Sequence, residues 1–319
     1  FLQGDPVPDG AEPIADVEFA GGLDTRKDAG HAASLPVARK CRKPMSYLHL
    51  LTPMLTAAAR AATSVRTAVP PDSHRGWTVK GSRDFVTHVD QQAEAIIREI
   101  VLGAEPGAGF MGEESEPEGD LSRGLAFVVD PLDGTTNFLH GFPHYAISIG
   151  AMVDGKLVAG VVHHVPSGRV CSAAAGHGAF ATDAAPEEVV RAGVGERLTV
   201  SQLADPAFAL IGTGFPFIDT SSLPTYQKQF AIVAASTCGM RRAGSAALDL
   251  ADVAAGRFDA FWELRLKAWD MAAGIVLIRE AGGIVTDLQG NDVHAAHTGI
   301  VAGGPAMHAW LLDTVQRDT

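Results

Sequence analysis

The chain has 319 residues, of which 46% are hydrophobic, and it is long and apolar enough to build a substantial core. Its formal net charge of −12 disfavours non-specific nucleic-acid binding, which depends on Lys and Arg side chains that neutralise phosphates. No apolar run approaches the roughly 20 residues that a membrane-spanning helix needs. The three cysteines are far apart and odd in number, as is typical of a reducing compartment. We therefore expect a soluble, cytoplasmic protein that binds neither nucleic acid nor membrane.

The first 44 residues differ from the rest of the chain. Residues 1–44 contain several prolines and no sustained apolar periodicity, which predicts a solvated tail or a segment upstream of a start at Met45. We expect the remainder to form two lobes. Residues 45–190 predict an α+β lobe with an antiparallel sheet, and residues 191–319 predict an α/β lobe.

Two helices are predicted at the start of the first lobe. The first is rich in Leu and Ala, runs from 46 to about 69, and is stopped by the two prolines at 70–71. The second begins near Asp90, which is predicted to be its N-cap, and ends at Gly103.

Strands follow these helices. The apolar segment 127–129 predicts a strand, and the turn signals that come after it predict an antiparallel meander. In the second lobe, strands alternate with helices. The predicted strands are 207–212, 258–262 and 283–286, and the predicted helices are 222–236, 245–255, 270–281 and 305–316. This order indicates a mixed α/β fold, with helices and sheets in stacked layers.

Acidic residues cluster next to these apolar elements at three places. The clusters are Glu113-Glu114, the segment 130–136, and Asp270 at the start of a predicted helix. Taken singly, each is more often a turn, a solvated loop or a helix cap. Taken together, these interpretations weaken, because an unpaired carboxylate beside an apolar element is costly.

The segment 130–136 combines two kinds of ligand. A strand ends at Asp130, the Leu132 carbonyl can turn inward, and Asp133 follows one turn later. Gly134 permits an unusual backbone angle and the close approach of a ligand, and Thr135 can begin a helix whose free N–H groups face the same point. Carboxylates for hard cations would thus lie beside donors for a phosphate, a combination that phosphoryl transfer needs.

These segments resemble the inositol monophosphatase family in their residues, order and spacing, over about residues 46–316. The Asp-Pro motif at 130–138 is highly specific. The other segments that carry the resemblance are 80–90, 112–115, 214–217, 242–247, 269–274 and 280–283. The resemblance implies an αβαβα sandwich of the sugar and inositol phosphatase type, two or three Mg²⁺ ions in each active site, inhibition by lithium, and a homodimer.

The resemblance also implies roles for individual residues. The metal ligands would be Glu113, Asp130, the Leu132 carbonyl, Asp133 and Asp270. The catalytic residues would be Glu113, Thr135, Asp90 and Lys80, with Thr135 and Asp90 orienting the attacking water and Lys80 in a segment like the family's mobile loop. The phosphate would be bound by Gly134, Thr135 and Thr136, and the alcohol portion of the substrate by Gly244, Ala246 and Glu263.

The resemblance implies that the substrate is a small phosphorylated metabolite, and several such metabolites remain open. Myo-inositol 1-phosphate leads, because Glu263 is a suitable acceptor for substrate hydroxyls. Histidinol phosphate is the alternative, followed by fructose 1,6-bisphosphate and 3′-phosphonucleotides. A regulatory binding protein that keeps the fold without turnover is the non-enzyme hypothesis. Arg265 and Lys267 could favour a second anionic group or simply be exposed.

Overall fold

A computed structural model describes residues 46–68, 78–81, 84–86, 88–183, 191–217, 219–294 and 298–317. The predictions for residues 1–44 and for the two prolines at 70–71 lie outside these residues. Residues Met45–Thr319 form one compact unit. The division of that unit into two lobes stays a prediction.

Seven helices and fourteen strands are formed within the described residues. The helices are α1 Leu48–Thr67, α2 His88–Ala104, α3 Thr135–Leu139, α4 Leu223–Ser236, α5 Ala246–Ala254, α6 Ala268–Glu280 and α7 Pro305–Gln316. The first nine strands are β1 Thr78–Gly81, β2 Asp84–Val86, β3 Gly109–Gly112, β4 Leu125–Asp133, β5 Ala146–Val153, β6 Lys156–His164, β7 Arg169–Ala174, β8 Ala179–Asp183 and β9 Glu196–Arg197. The remaining strands are β10 Leu210–Thr213, β11 Gly239–Arg241, β12 Ala260–Leu266, β13 Ile284–Asp287 and β14 Thr298–Gly303.

The strands form one hairpin and two sheets. β1 and β2 form the hairpin, β3 to β9 form a seven-stranded sheet in sequence order, and the five-stranded sheet has the order β11-β10-β12-β14-β13. The predicted antiparallel meander is confirmed for β4 to β9. The first sheet is not wholly antiparallel, however, because β3 pairs with β4 in parallel. The alternation predicted for residues 191–319 is not complete, because β13 and β14 are consecutive antiparallel strands and the described residues between them, 288–294, contain no helix.

Three hydrophobic clusters show how these elements stack. One joins α1 and α2 to a face of the seven-stranded sheet. The second joins the other face of that sheet to α5, α6 and the five-stranded sheet. The third joins the outer face of the five-stranded sheet to α4 and α7. The order is therefore helix, sheet, helix, sheet, helix, which confirms the predicted αβαβα sandwich.

β4 shows how the sequence specifies this layering. Ala126 and Val128 point to the layer of α5 and α6, whereas Phe127 and Val129 point to the layer of α1 and α2. A strand covered on both faces is apolar throughout, so it lacks the alternation of a half-exposed strand. Because β4 lies in the interior, Asp130 near its end is also buried, with 2% of its surface exposed.

Two predicted element boundaries are wrong. Asp90 is not the N-cap of the second helix, because α2 begins at His88 and Asp90 lies in its first turn. Its carboxylate accepts a hydrogen bond from Thr135 Oγ1 at 3.0 Å instead of capping its own helix. The strand predicted at 207–212 begins only at Leu210, because Pro206–Phe208 forms a 3₁₀ turn that the Asp205 side chain caps.

Two glycines of the first sheet allow α6 to lie close to it. A Cβ atom on Gly150 would stand 2.6 Å from Ala272 Cβ, and one on Gly160 would stand 2.5 Å from the Ala273 carbonyl oxygen. Real Cβ atoms do not approach that closely, so any side chain would push the helix away. The position of α6, and therefore of Asp270 in its first turn, depends on these glycines.

Replacing Gly160 by alanine is expected to lower the free energy of unfolding by about 1–3 kcal/mol, because the added methyl group overpacks the contact with α6. Gly103→Ala is the matched control, since no atom lies within 4 Å of its Cβ position on α2. There the change is expected to raise stability by roughly 0.5–1 kcal/mol through helix propensity. Urea unfolding of the two variants measures both effects, and equal stabilities would contradict the packing argument.

His163 on β6 is a polar side chain that is buried without hydrogen bonds to the described residues. It is 1% exposed, and neither ring nitrogen has a hydrogen-bond partner within the described residues. Burial, followed by the charges of His164 and Arg66, lowers the pKa of His163 to about 4. The folded protein therefore holds this ring neutral at pH values where the unfolded chain would protonate it.

This burial predicts a pH dependence of stability. Between pH 6.5 and 4 the His163 ring is protonated in the unfolded chain but not in the folded protein. The contribution of the neutral ring to the free energy of unfolding is therefore complete above pH 6.5 and is lost as the pH falls towards 4. The loss at pH 4 is expected to be about 3 kcal/mol. His163→Leu should remove this part of the pH dependence, whereas His49→Leu, at a side chain that is 61% exposed, should not. Urea unfolding at pH 7.5, 6 and 5 compares the three proteins, and parallel curves would refute the prediction.

Candidate active site

Three chain segments bring carboxylates to the end of β4. Glu113 follows β3, and its backbone N–H donates to the Val129 carbonyl of β4 at 3.2 Å. Asp130 and Asp133 lie in the final part of β4, and Asp270 lies in the first turn of α6. Burial raises the pKa of Asp130 well above its usual range, and the charges of Glu113, Asp133 and Asp270 raise it further. The four predicted carboxylates thus lie within electrostatic reach of one another.

Two of these carboxylates are held by helix starts. Asp133 Oδ2 accepts hydrogen bonds from Ser245 Oγ at 2.6 Å and from Ala247 N at 2.7 Å, at the beginning of α5. Asp270 Oδ2 accepts from Lys267 N at 2.7 Å, at the beginning of α6. Burial raises the pKa of Asp270 well above its usual range, and the charge of Asp133 adds to this. These partners only partly offset the repulsion between the two carboxylates.

The donor set suits a hard divalent cation. In the part of the chain that the structure describes, no three acidic, histidine or cysteine side chains converge closely enough to enclose an ion. The site nevertheless gathers buried carboxylates that raise one another's pKa, and a cation placed among them would remove that repulsion. A donor set that consists of oxygen atoms alone suits Mg²⁺, Ca²⁺ and Mn²⁺. The residues present therefore fit a hard divalent cation, Mg²⁺ among them.

Gly134 forms the turn between the carboxylates and α3. It has φ +96°, and a Cβ atom would stand 3.0 Å from the His144 carbonyl oxygen, so both conformation and space require glycine. Thr135 and Thr136 begin α3, which is only five residues long. The contribution of α3 to anion binding would therefore come from individual N–H and hydroxyl donors more than from a helix dipole.

Thr135 joins two other predicted residues. Its Oγ1 lies 3.0 Å from Asp90 Oδ1 and 3.0 Å from the Leu132 carbonyl oxygen. The Leu132 N–H in turn donates to Asp130 Oδ1 at 2.9 Å. Because a hydroxyl has one hydrogen, Asp90 and the Leu132 carbonyl share it, and the lone pairs of Oγ1 are left to accept. The structure thus brings Asp90, Leu132 and Thr135 together beside the carboxylates.

A cavity of about 1040 Å³ opens beside these groups. Its lining includes Glu113, Asp133, Gly134, Thr135, Thr136 and Asp270. It also includes the three residues predicted to meet the alcohol portion, Gly244, Ala246 and Glu263. Burial raises the pKa of Glu263 to about 8. A Cβ atom on Gly214 would stand 2.1 Å from its carboxyl group, so only glycine fits there.

The hairpin of β1 and β2 lies near this end of the molecule. Lys80 lies in β1, and β2 packs against α3. The catalytic role of Lys80 stays a prediction.

Sequence analysis missed two supporting residues. Ser245 is the N-cap of α5 and also donates to Asp133, so it ties the start of that helix to the site. Glu94 is buried on α2, and its Oε2 accepts from Glu114 N at 2.8 Å. A Cβ atom on Gly112 would stand 2.2 Å from that oxygen. The only sequence signal for Glu94 was an acidic residue on the apolar face of a predicted helix, which is costly without a partner.

Comparisons with known proteins agree with this architecture. The model of the family described as "Inositol monophosphatase family" matches residues 48–319. The chain is 41% identical to an inositol-1-monophosphatase of Rhizobium meliloti, over 86% of this chain and 98% of that protein. It is also 41% identical to a "Nus factor SuhB" of Pseudomonas aeruginosa, over 83% of this chain and 97% of that protein. Among solved structures, the extragenic suppressor protein suhB of Bartonella henselae matches with a TM-score of 0.76 and 39% identity, over 85% of this chain and 100% of that one.

None of the helices in the described residues combines the length and the apolar character that crossing a membrane requires.

Proposed function

Because the chain belongs to the inositol monophosphatase family, we propose that it hydrolyses a small phosphate monoester with the help of Mg²⁺, with myo-inositol 1-phosphate as the leading substrate. The proposal depends on one observation, which is that two groups of side chains lie next to each other. One is the cluster of Glu113, Asp130, Asp133 and Asp270, and the other is the Thr135–Asp90 pair at its edge.

The carboxylate cluster and the Leu132 carbonyl are the proposed metal ligands. The Leu132 carbonyl oxygen accepts from Thr135, and because a carbonyl oxygen has two lone pairs, this bond alone does not prevent it from binding a cation. When bound, Mg²⁺ supplies Lewis-acid activation of water and neutralises charge on the phosphate. The chain itself contributes position. Ser245 and Ala247 fix Asp133, and Lys267 N fixes Asp270.

Thr135 and Asp90 are proposed to orient the attacking water. Asp90 is 1% exposed and accepts from Thr135 Oγ1, so the hydroxyl hydrogen points away from the cavity side of the threonine. The oxygen can then accept a hydrogen bond from a water held near Glu113. Such a water would be aligned with the phosphorus atom of an ester bound at Gly134–Thr136, which is the positioning that phosphoryl transfer depends on.

The phosphate and the alcohol are proposed to occupy neighbouring parts of the cavity. Backbone N–H groups and hydroxyls of Gly134, Thr135 and Thr136 would bind the phosphate. Glu263, with Gly244 and Ala246 beside it, would accept hydroxyl groups of the alcohol. A polyol such as inositol suits this wall, which supports inositol 1-phosphate over histidinol phosphate. Fructose 1,6-bisphosphate and 3′-phosphonucleotides are further alternatives.

A binding role in a larger assembly is the second candidate. The relative from Pseudomonas aeruginosa is named a Nus factor, so a protein of this fold can carry a name that is not an enzyme's. All four carboxylates are kept here, which supports turnover. The charge of −12 supports a protein partner more than direct contact with nucleic acid. A homodimer is part of the proposal on family grounds.

Phosphate release from a panel of esters tests the proposed function. The panel contains inositol 1-phosphate, histidinol phosphate, fructose 1,6-bisphosphate and adenosine 3′,5′-bisphosphate, each with Mg²⁺, with EDTA, and with Mg²⁺ plus lithium. We expect Mg²⁺-dependent release that lithium suppresses, with inositol 1-phosphate faster than histidinol phosphate. If phosphate is released from none of these esters, the enzyme hypothesis is refuted and the binding role is left. Release that persists in EDTA would refute the metal requirement.

A further inference from the structure

An arginine that the proposed mechanism does not use lies in the cavity wall. Arg242 lines the cavity, and its guanidinium carbon is 5.3 Å from the ring centre of Phe215 and 5.0 Å from that of Phe217. Both distances are those of a cation–π contact. Phe215 also makes an edge contact with Tyr226, with ring centres 5.5 Å apart. The guanidinium is therefore held by a supported pair of aromatic rings.

The part of the protein that the structure describes does not use its side-chain hydrogen-bond donors. Within the described residues, the Arg242 side chain donates no hydrogen bond and forms no ion pair, although its five N–H groups make it the richest donor among side chains. Arg265, also in the cavity wall, is different because it is ion-paired with Asp219. Of these two arginines, only Arg242 has no ion-pair partner within the described residues.

Arg242 is close to the proposed phosphate site. Its Nη1 lies 3.1 Å from the point where a Cβ atom on Gly244 would stand, so the guanidinium packs directly against Gly244. The Gly244 carbonyl oxygen lies 3.3 Å from the corresponding point on Gly134. The backbone of Gly244 therefore lies between the guanidinium and the glycine of the proposed phosphate loop, beside the Asn137 side chain, whose Nδ2 is 3.0 Å from the same point on Gly244. A small ligand could reach both.

The surroundings of Arg242 favour an anion over a nucleobase. One face of each phenylalanine ring is already covered by the guanidinium, so a base could stack there only by displacing it. Two acidic residues, Asp249 and Glu263, interact with the charge of Arg242. Asp249 is buried and Glu263 is half-buried, whereas Arg242 is exposed. A ligand that enters the cavity meets the guanidinium, which binds carboxylate and phosphate groups through two parallel hydrogen bonds.

We propose that Arg242, fixed by Phe215 and Phe217, binds a second anionic group on the alcohol portion of the substrate. This rests on the proposed phosphatase function and adds to it that esters whose alcohol carries a further phosphate or carboxylate bind more tightly than myo-inositol 1-phosphate, which stays the leading substrate among the monophosphates. Arg265 and Lys267, which were predicted either to favour a second anionic group or to be exposed, are both exposed, and Arg265 is ion-paired. The second anionic group is assigned to Arg242 instead.

Two substrates that differ only in the second anion test this inference. The ratio of kcat/KM for myo-inositol 1,4-bisphosphate to that for myo-inositol 1-phosphate is measured for the wild type, Arg242→Gln, Arg242→Lys and Arg265→Gln. Arg242→Gln is expected to lower the ratio about tenfold, as loss of a charge-assisted hydrogen bond does. The change should be mostly in KM for the bisphosphate. Arg242→Lys should keep part of the preference, and Arg265→Gln should keep all of it.

The outcomes separate this inference from the proposed function. If the wild type hydrolyses both esters and Arg242→Gln leaves the ratio unchanged, the inference is wrong and the proposed function stands. An equal loss for both esters would place Arg242 on the shared phosphate and would also refute it, as would an equally large effect of Arg265→Gln. No hydrolysis of either ester by the wild type would refute the proposed function itself. Far-UV circular dichroism and the melting temperature check that each variant is folded.

Discussion

Replacing Asp133 by asparagine is expected to lower the Mg²⁺-dependent rate of ester hydrolysis by a factor of about a thousand, which corresponds to roughly 4 kcal/mol of transition-state stabilisation. Asparagine keeps the shape of the side chain and an oxygen that can still accept from Ser245 and Ala247. It removes the negative charge that the metal needs. It also removes repulsion towards Asp130 and Asp270, so the metal-free variant should be at least as stable as the wild type.

Phosphate release and thermal unfolding, each with and without Mg²⁺, measure these two effects together. Asp313→Asn is the matched control, since this exposed carboxylate is ion-paired with Arg317 far along the chain on α7. It should change neither the rate nor the stabilisation by Mg²⁺. Undiminished activity in Asp133→Asn would refute the assignment of the metal site. Loss of the fold would instead show that this carboxylate has a structural role that the proposal does not include.

Replacing Thr135 by valine is expected to lower kcat about a hundredfold, because the side chain keeps its shape but loses the oxygen that would orient the attacking water. Mg²⁺ affinity should change little, since Thr135 is not among the proposed metal ligands. Thr135→Ser is the matched control. It keeps a hydroxyl that can donate to Asp90 and to the Leu132 carbonyl, and should retain most of the activity.

A double-mutant cycle with Asp90→Asn tests whether Thr135 acts as a unit with Asp90. If the two residues orient the water together, the double variant should be about as slow as the slower single variant. Either single change would already abolish the orientation of the water, so the second change would have no further effect on the rate. Rate losses that multiply would contradict the pairing seen at 3.0 Å and would assign the two residues separate roles.

The layered fold was predictable from the sequence because the burial pattern of each strand is local. The run at 127–129 has to be covered on both sides, and the structure covers it with helices on both faces of the sheet. The parallel pairing of β3 with β4 was not predictable in this way. It joins two segments that an acidic, Pro-containing stretch separates, and no local signal states which strands pair or in which direction.

The residues of the candidate site were predictable as residue types, but not as contacts. The segment 130–136 indicated carboxylates beside phosphate donors, and the structure brings that segment together with Glu113 and Asp270. Asp90 was predicted to cap its own helix, yet its carboxylate accepts from Thr135, because a tertiary contact replaced the local one. Whether Arg242 and Arg265 are ion-paired depends on which side chains lie near them in the folded chain. Residue type and spacing contain no information on that partner.

The most direct test of the central claim is anomalous diffraction from a crystal of the wild-type protein soaked in Mn²⁺, an ion of the same oxygen-ligand preference as Mg²⁺. The account predicts anomalous peaks between the carboxylates of Glu113, Asp130, Asp133 and Asp270, at least one of them with oxygen ligands at about 2.0–2.3 Å. A crystal with no peak at this cluster, or with peaks only at other places on the molecule, would contradict the claim that these carboxylates form the metal site.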